Sequence, residues 1–317
     1  MDVIEPGLVV SAPIHRRSEW TASDSFALFR PADLALVEGG ILIGDSGNDR
    51  LVLFDRGLSP VRTIGRSGAG PGELRQPFRV RTGFGFLVAS ELGNSRFSFY
   101  RLDGGFSHVV RRDGMEGVFD LLSDGTLVRG SVADGHYLLR VGLDGDTVSI
   151  GAIPPAVRAL RKSGPRPRWR SDLVVVTEGD TLHVFDNEVG ALLKFDPAGR
   201  LHAMRTLPES FREEVVKRRE DLFESLTGAG HRVISSPLAG HLSVTGEGGL
   251  LLWVGSDRIV GLLIDPHSYA ARFVRIPDGS GDWSAPVLNS MAAAMRDGTL
   301  FVLGREGLAS FRLIDDA

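Results

Sequence analysis

Residues 40–54 read Gly-Ile-Leu-Ile-Gly-Asp-Ser-Gly-Asn-Asp-Arg-Leu-Val-Leu-Phe, which is two apolar runs separated by a polar turn. Short apolar runs bounded by Gly, Asn and Asp are typical of β-strands joined by tight turns. We predict strands over residues 41–44 and 50–54, with a preceding strand over 34–37 and a following strand over 59–64. Together the four predicted strands form an antiparallel meander.

The same pattern returns five more times along the 317 residues of the chain. Each repeat has a tight-turn glycine between two apolar runs, and these glycines are Gly40, Gly85, Gly125, Gly179, Gly249 and Gly298. Their spacings of 45, 40, 54, 70 and 49 residues are typical of β-propeller blades, two of them lengthened by insertions. The sixth repeat ends after its third strand, so we expect residues 7–14 to complete it and close the ring. The predicted fold is all-β: a six-bladed β-propeller of four-stranded antiparallel blades, with residues 1–317 forming a single domain.

The composition of the chain limits which classes of partner it can bind and in which cellular compartment it is expected. The formal net charge is −4, which does not fit the basic surface of a nucleic-acid-binding protein. No apolar run of about 18 residues is present, so we expect no membrane-spanning helix. The absence of cysteine excludes disulfides and thiolate metal sites. We expect a cytoplasmic protein if Met1 is the native start, and a periplasmic or secreted one if a leader was removed.

Two stretches resemble a known family. Residues 43–55, Ile-Gly-Asp-Ser-Gly-Asn-Asp-Arg-Leu-Val-Leu-Phe-Asp, resemble the NHL-repeat signature. Residues 64–74, followed by Pro77, resemble the loop after that signature in bacterial six-bladed propeller proteins. The resemblance implies the six-bladed fold. It leaves the function open, because NHL-like propellers include peptide lyases, lactonase-like hydrolases and plain binding modules.

The insertions of the predicted propeller lie on one face of the ring. The first-to-second and third-to-fourth turns of each blade are short and share one face, which we call the short-turn face. The second-to-third turns and the crossings between blades share the opposite, loop-rich face. This face holds the long insertions at 66–76, 152–170, 207–238 and 277–288. Long loops without strands are often functional, so we expect the site on the loop-rich face, at the mouth of the central channel.

The insertion at 153–170 is basic and lacks acidic residues. Its cationic and aromatic side chains are Arg158, Arg161, Lys162, Arg166, Arg168, Arg170 and Trp169. We interpret it as a loop that receives an anionic small molecule or peptide, with Arg166, Arg168 and Trp169 as ligand-binding residues. The alternative is a solvated loop whose arginines pair with neighbouring acids.

The insertion at 208–230 predicts a helix over residues 208–227. Pro208 suits the first turn of a helix, and Gly228 and Gly230 follow its end. Phe211, Val215 and Leu222 recur near one face at helical spacing. The helix is a candidate lid over the channel mouth. The alternatives are a rim element packed on the ring and a docking site for a protein partner.

Polar residues begin the six inner strands and are expected to converge on the channel mouth: Asp33, Arg79, Asp120, Asp172, His241 and Asn289. Carboxylates and an imidazole around one axis are suitable ligands for calcium or zinc. The predicted metal ligands are Asp33, Asp120, Asp172 and His241, and the predicted catalytic residues are His241, Asp172 and Asp120. Arg79 and Asn289 are predicted to bind the ligand. In this interpretation Arg79 and His241 together bind a carboxylate of the substrate. The alternative is a polar, water-filled channel.

Two further segments contain candidate site residues. Lactonase-like propellers build calcium sites from Glu, Asn and Asp on this face, and the resemblance therefore makes Glu91 and Asn94 reserve ligands. The glycine-rich segment 67–72 lacks the Gly-Lys-Ser/Thr ending of a phosphate-binding loop.

Two functions follow from these patterns. The first is a propeller that binds a small, anionic molecule or peptide at the channel mouth. The alternative is a hydrolase, lyase or cyclase at the same place, with or without a metal.

Overall fold

A computed structural model describes residues 2–3, 15–19, 26–112, 118–163, 173–207, 241–253, 259–275, 290–304 and 307–312. Within these residues the chain forms 25 β-strands, one α-helix and one turn of 3-10 helix, Ser46–Asn48. Two strands precede the blades: β1 (Asp2–Val3) and β2 (His15–Glu19).

The first three blades follow in chain order, each a four-stranded antiparallel sheet. Blade 1 contains β3 (Pro31–Val37), β4 (Gly40–Asp45), β5 (Arg50–Asp55) and β6 (Pro60–Ile64). Blade 2 contains β7 (Pro77–Gly83), β8 (Phe86–Glu91), β9 (Arg96–Arg101) and β10 (Phe106–Arg111). Blade 3 contains β11 (Phe119–Leu121), β12 (Leu127–Ala133), β13 (His136–Val141) and β14 (Thr147–Ala152).

The helix α1 (Pro155–Ser163) separates blade 3 from the second half of the ring. Blade 4 contains β15 (Leu173–Glu178), β16 (Thr181–Asp186), β17 (Ala191–Phe195) and β18 (Leu201–Thr206). Blade 5 contains β19 (His241–Val244), β20 (Leu250–Trp253), β21 (Ile259–Ile264) and β22 (Ala271–Arg275). Blade 6 contains β23 (Ser290–Arg296), β24 (Thr299–Gly304) and β25 (Gly307–Arg312).

The innermost strands form a closed ring. The strands β3, β7, β11, β15, β19 and β23 each pack against the innermost strands of the two neighbouring blades, and β23 packs against β3. The prediction of a six-bladed β-propeller of antiparallel blades is confirmed. The predicted third strand of the first repeat, 50–54, agrees with β5 to within one residue.

The N-terminal segment completes blade 6, but not with the predicted residues. The strand β2 pairs antiparallel with β25, with Glu19 opposite Ala309 and His15 opposite Arg312. The expected closing strand at 7–14 lies outside the described residues, and the edge it was expected to fill is occupied by β2. A strand at 15–19 also leaves a shorter crossing to β3 than one at 7–14 would. The strand β1 pairs in parallel with β18 of blade 4, which the sequence did not predict.

The core is divided among the blade interfaces. Each of the six contacts between neighbouring blades encloses one cluster of buried apolar side chains. Successive residues of a strand point to opposite faces of its sheet, so Ile41 and Ile43 pack towards blade 6 and Leu42 packs towards blade 2. Both faces of a blade are therefore buried, and this explains why the strands are continuous apolar runs instead of alternating ones.

The basic insertion begins with a helix, although the sequence predicted a loop over 153–170. Ile153 and Val157 are buried in the cluster between blades 3 and 4, and this packing holds α1 against the ring. The remaining part of that insertion, 164–170, and the predicted lid helix, 208–227, lie outside the described residues. No helix in the described part of the chain is long and apolar enough to cross a membrane.

Candidate functional site

Five polar residues of the innermost strands form what we call the channel cluster: Asp33, Arg79, Arg81, Asp120 and His241. They come from β3, β7, β11 and β19, which are the innermost strands of blades 1, 2, 3 and 5 and are distant in sequence. The propeller therefore assembles a charged site from separate blades. Its wall is fixed by the blade-to-blade packing that stabilises the fold.

Asp33 is the centre of the channel cluster. Its Oδ2 accepts hydrogen bonds from Arg81 Nη1 at 2.8 Å and from the backbone N–H of Val80 at 3.1 Å. Its Oδ1 lies 3.2 Å from His241 Nε2 and 3.8 Å from Arg79 Nη1. Burial by itself would raise the pKa of Asp33, but the charge of Arg81, with His241 and Arg79, holds it well below its usual range. Asp33 is thus a buried carboxylate that stays ionised.

His241 and Asp120 are also buried, and burial acts on them in opposite directions. It lowers the pKa of His241, although the Asp33 carboxylate opposes this effect. It raises the pKa of Asp120, although Arg81 and the Thr177 backbone amide, 2.7 Å from Oδ2, oppose this. The channel cluster therefore contains an imidazole that is harder to protonate than usual and a carboxyl group that is easier to protonate than usual.

Arg81 connects the two sides of the channel cluster. Its guanidinium carbon lies 5.9 Å from the ring centroid of Phe119 in blade 3, and Nη1 also donates to the carbonyl of Val80 at 2.6 Å. Nη2 is buried and has no hydrogen-bond partner among the described residues. A buried guanidinium nitrogen without an acceptor is costly, so this atom is the natural contact for an acceptor on a ligand.

A cavity of about 290 Å³ occupies the channel next to the cluster. Arg81, Asp120 and His241 line one end, and Thr245, Gly246 and Arg296 line the other. The second group belongs to the short-turn face, so the cavity extends from the channel cluster towards that face. The sequence placed the site on the loop-rich face, and all or part of each of three of the four long insertions predicted there lies outside the described residues.

Hydrogen bonds between blades stiffen the wall of this cavity. Thr82 Oγ1 donates to the carbonyl of Leu36 at 2.6 Å, which ties blade 2 to blade 1. Thr177 Oγ1 donates to the carbonyl of Leu121 at 2.8 Å, which ties blade 4 to blade 3. Ser243 Oγ donates in the same way from blade 5 to blade 6 at 3.1 Å. These bonds hold the lining residues in place before any ligand arrives.

The structure brings together four of the six predicted channel residues, namely Asp33, Arg79, Asp120 and His241. The other five predicted site residues lie outside the described part of the chain: Arg166, Arg168, Trp169, Asp172 and Asn289. Arg81 was not among the site residues predicted from the sequence. Arg81 follows Arg79 by two positions, so the two-residue period of a strand places both on one face and would have identified it.

The predicted metal set is only partly described. Within the described ranges, no group of three or more His, Asp or Glu side chains is arranged to hold a metal ion. Asp33, the best-placed carboxylate, has Arg81 and Arg79 as neighbours. A calcium or zinc site that also uses Asp172 stays a prediction.

The reserve calcium ligands Glu91 and Asn94 are engaged by the protein itself. Glu91 Oε1 accepts from Arg96 Nε at 2.8 Å, and Oε2 accepts from the backbone N–H of Arg75 at 2.8 Å. Asn94 donates to Glu91 and to the carbonyl of Gly68. These contacts stabilise the crossing from blade 1 to blade 2. Asp45 accepts hydrogen bonds from Asn48 and Arg50 in a similar way, and Asn48 also donates to the carbonyl of Ala27 in the segment before β3.

The glycine-rich segment 67–72 encloses an anion supplied by the chain. The Glu73 carboxylate accepts the backbone N–H of Gly70 at 2.8 Å and pairs with Arg66 at 3.1 Å. Gly68 has a φ of +151°, a backbone conformation that favours glycine. The loop is thus filled by its own glutamate, in agreement with the absence of a phosphate-loop motif.

Comparison with known proteins gives the fold. No protein-family model matches the chain, and no curated protein matches it significantly. The chain is similar to a protein named as an exported protein of Bacteroides fragilis NCTC 9343, at 14% identity, 98% coverage of both chains and a TM-score of 0.62. It is similar to virginiamycin B lyase from Staphylococcus aureus at 11% identity, 89% coverage of this chain, 79% of that chain and a TM-score of 0.51. A protein named as a gluconolactonase is similar at 12% identity, 95% and 92% coverage and a TM-score of 0.50. At such identities the likeness shows a shared β-propeller fold and no common activity.

Proposed function

We propose that the chain is a ligand-binding propeller that holds a small anionic molecule in the channel cavity beside Arg81 and His241. The observation that carries the proposal is the buried Nη2 atom of Arg81, which has no acceptor among the described residues although Arg81 lines the cavity. An anionic oxygen would supply that acceptor, and a guanidinium binds carboxylate and phosphate oxygens well.

The charge balance of the cavity supports an anion. Asp33 is shared by Arg79 and Arg81, so these two cations face one firmly ionised carboxylate. Asp120, the second acid, has a raised pKa because it is buried. Arg296 adds a third cation at the far end of the cavity. The cluster therefore carries an excess of positive charge that a bound anion would neutralise.

The shape of the cavity supports a small ligand. Its volume of about 290 Å³ lies at the lower end of the range for small-molecule sites. Apolar walls from Leu34 and Val176 and hydroxyl groups from Thr177 and Ser243 would surround a carboxylate or phosphate compound of a few carbon atoms. The basic residues Arg166 and Arg168, with Trp169, stay proposed contacts for a ligand that enters from the loop-rich face.

Calorimetric titration with succinate, citrate and inorganic phosphate tests the proposal. We expect at least one of them to bind, and Arg81→Lys to weaken binding about tenfold, because lysine keeps the charge but loses the fork of donors. Arg140→Lys is the matched control, since Arg140 is ion-paired to Asp124 in blade 3, away from the channel. Binding that is equal in the wild type and Arg81→Lys would contradict the proposal.

A second candidate function is acid–base catalysis in the same cavity by a hydrolase, lyase or cyclase. It is favoured by the opposite pKa shifts of His241 and Asp120, because an imidazole that resists protonation suits a base and a carboxyl group that gains a proton more easily suits an acid. Propellers named as a lyase and as a gluconolactonase are among the structural neighbours. In an assay of lactone hydrolysis, with and without calcium or zinc, His241→Gln should lower kcat at least a hundredfold. Arg140→Lys should not, and equal kcat in the wild type and His241→Gln would exclude this function.

The NHL-like signature and the name of the Bacteroides neighbour support two finer proposals. The first is descent from NHL-repeat propellers, which rests on residues 43–55. The second is export from the cytoplasm, which rests on the exported neighbour alone. Fractionation of the producing cells tests the second, and recovery from the cytoplasm only would contradict it.

A further inference from the structure

A second cavity, of about 190 Å³, lies on the short-turn face between blades 1 and 6. We call it the blade 1–6 pocket. Its rim carries Arg56, Arg296 and Arg312, and its inner wall includes Leu36 and Phe301. The pocket lies at the seam where the last blade meets the first, outside the channel cluster.

The rim of the blade 1–6 pocket has more positive than negative charge. Three guanidinium groups face one carboxylate, that of Asp297, which pairs with Arg56 Nη1 at 3.0 Å. Arg296 Nη1 donates to the carbonyl of Val37 at 2.6 Å. Within the described part of the chain, the Arg312 side chain forms no hydrogen bond or ion pair. Among the described residues that line the pocket, the charges of Arg296 and Arg312 therefore have no carboxylate partner.

The inner wall restricts the chemistry of the ligand further. Phe301 is buried in the core between blades 1 and 6, and Leu36 packs against that core from the channel side. Thr299 is buried and also lines the pocket. An inorganic anion would contact the arginines and leave this apolar wall uncovered. A carboxylate with a compact apolar body would cover both.

We propose that the blade 1–6 pocket binds a small aromatic or branched-chain carboxylate, with the carboxylate at Arg312 and Arg56 and the apolar body against Leu36 and Phe301. This site goes beyond the proposed function and does not depend on it. Arg296 and Leu36 line both cavities, so the test changes Arg312 and Arg56, which line only this one.

The test is a titration of the full chain with benzoate, followed by saturation-transfer NMR and calorimetry. We expect saturable binding that Arg56→Gln and Arg312→Gln each weaken at least fivefold and that Arg312→Glu abolishes. Arg200→Gln is the matched control, because Arg200 is 80% exposed and lies 3.8 Å from Asp196 at a distant turn of blade 4. Inorganic phosphate should bind at least fivefold more weakly than benzoate.

Several outcomes would overturn the proposal. One is benzoate binding by Arg312→Glu at the wild-type affinity, and another is an equal loss in Arg200→Gln. Phosphate binding as tight as that of benzoate would overturn the role of the apolar wall. The variant Arg81→Lys separates the two sites: retained binding supports the blade 1–6 pocket, whereas loss in Arg81→Lys alone would place benzoate in the channel.

Discussion

His241 Nε2 lies 3.2 Å from Asp33 Oδ1, although His241 belongs to the fifth blade and Asp33 to the first. Asp33 also accepts the Arg81 guanidinium of the second blade at 2.8 Å. The contact chain Arg81–Asp33–His241 thus crosses the channel and joins three blades. The residues that form the candidate site are also residues that hold the inner ring together.

Asp33→Asn should be strongly destabilising. The change removes the carboxylate charge that pairs with Arg81 at 2.8 Å and leaves a buried guanidinium without its ion-pair partner, which typically costs about 3–5 kcal/mol in the free energy of unfolding. Chemical denaturation measures the loss. Asp297→Asn is the matched control, because its pair with Arg56 is solvent-exposed and is expected to contribute no more than about 1 kcal/mol. Equal losses in the two variants would show that the channel pair is not a buried ion pair.

His183 should make the protein less stable in mild acid. Burial, followed by the charges of Lys194 and His267, lowers the pKa of His183 from 6.5 to about 4, although Glu178 lies 3.3 Å from Nε2. Between these values the unfolded chain binds a proton that the folded chain does not, so stability falls as the pH falls. The loss from pH 6.5 to pH 4 is about 3 kcal/mol at 1.36 kcal/mol per pKa unit.

Urea denaturation at pH 7, 5.5 and 4.5 checks this window. His183→Gln has no proton to gain, so its stability should change less with pH than that of the wild type. An identical dependence on pH in the two proteins would contradict the assignment to His183.

Glu91→Gln should destabilise the protein without revealing a calcium site. The buried Glu91 carboxylate accepts hydrogen bonds from Arg96 Nε and the Arg75 backbone, so the loss of its charge is expected to cost about 2–3 kcal/mol. Added calcium should not change the melting temperature of the wild type through this residue. Glu73→Gln, which alters an exposed turn, should cost less. A calcium-dependent rise in the wild-type melting temperature that Glu91→Gln abolishes would restore Glu91 as a metal ligand.

Asp120→Asn should bind an anion more tightly than the wild type. Removing a negative charge that lines the channel cavity lowers repulsion by about 1 kcal/mol, or about fivefold in affinity. Wild-type affinity should also rise as the pH falls, since protonation of Asp120 removes a negative charge and protonation of His241 adds a positive one. Calorimetry with succinate from pH 5.5 to 8 measures both effects. Weaker binding by Asp120→Asn would mean that Asp120 contacts the ligand as an acceptor.

Most of the propeller could be predicted from local pattern. Apolar runs such as 41–43 and turns rich in Gly, Asn and Asp specify the strands, because both signals are local. The closing strand could not be predicted, because His15–Glu19 has no apolar pattern and becomes a strand by pairing with the edge of β25. The helix α1 was missed because its basic composition suggested a solvated loop, whereas Val157 anchors it to the core.

The sequence was sufficient to predict which inner-strand residues lie near the ring axis, but not how their side chains pair. Asp33, Asp120 and His241 were identified because the inner strands of a propeller converge on one axis. The pairing of Asp33 with Arg81 depends on side-chain reach between blades, which no local pattern encodes. The position of the cavity on the short-turn side of the cluster also depends on packing across the channel.

The most direct test of the anion site is the NMR signal of the His241 side chain, assigned by comparison with His241→Gln, during a titration with succinate. If the anion binds beside Arg81, the imidazole ¹⁵N chemical shifts of His241 should change saturably, with the same dissociation constant as in calorimetry. The variant Arg81→Lys should then change the dissociation constant by the same factor in both measurements. If succinate binding saturates by calorimetry while the His241 signal stays unchanged, the ligand binds elsewhere and the channel cavity is not the site.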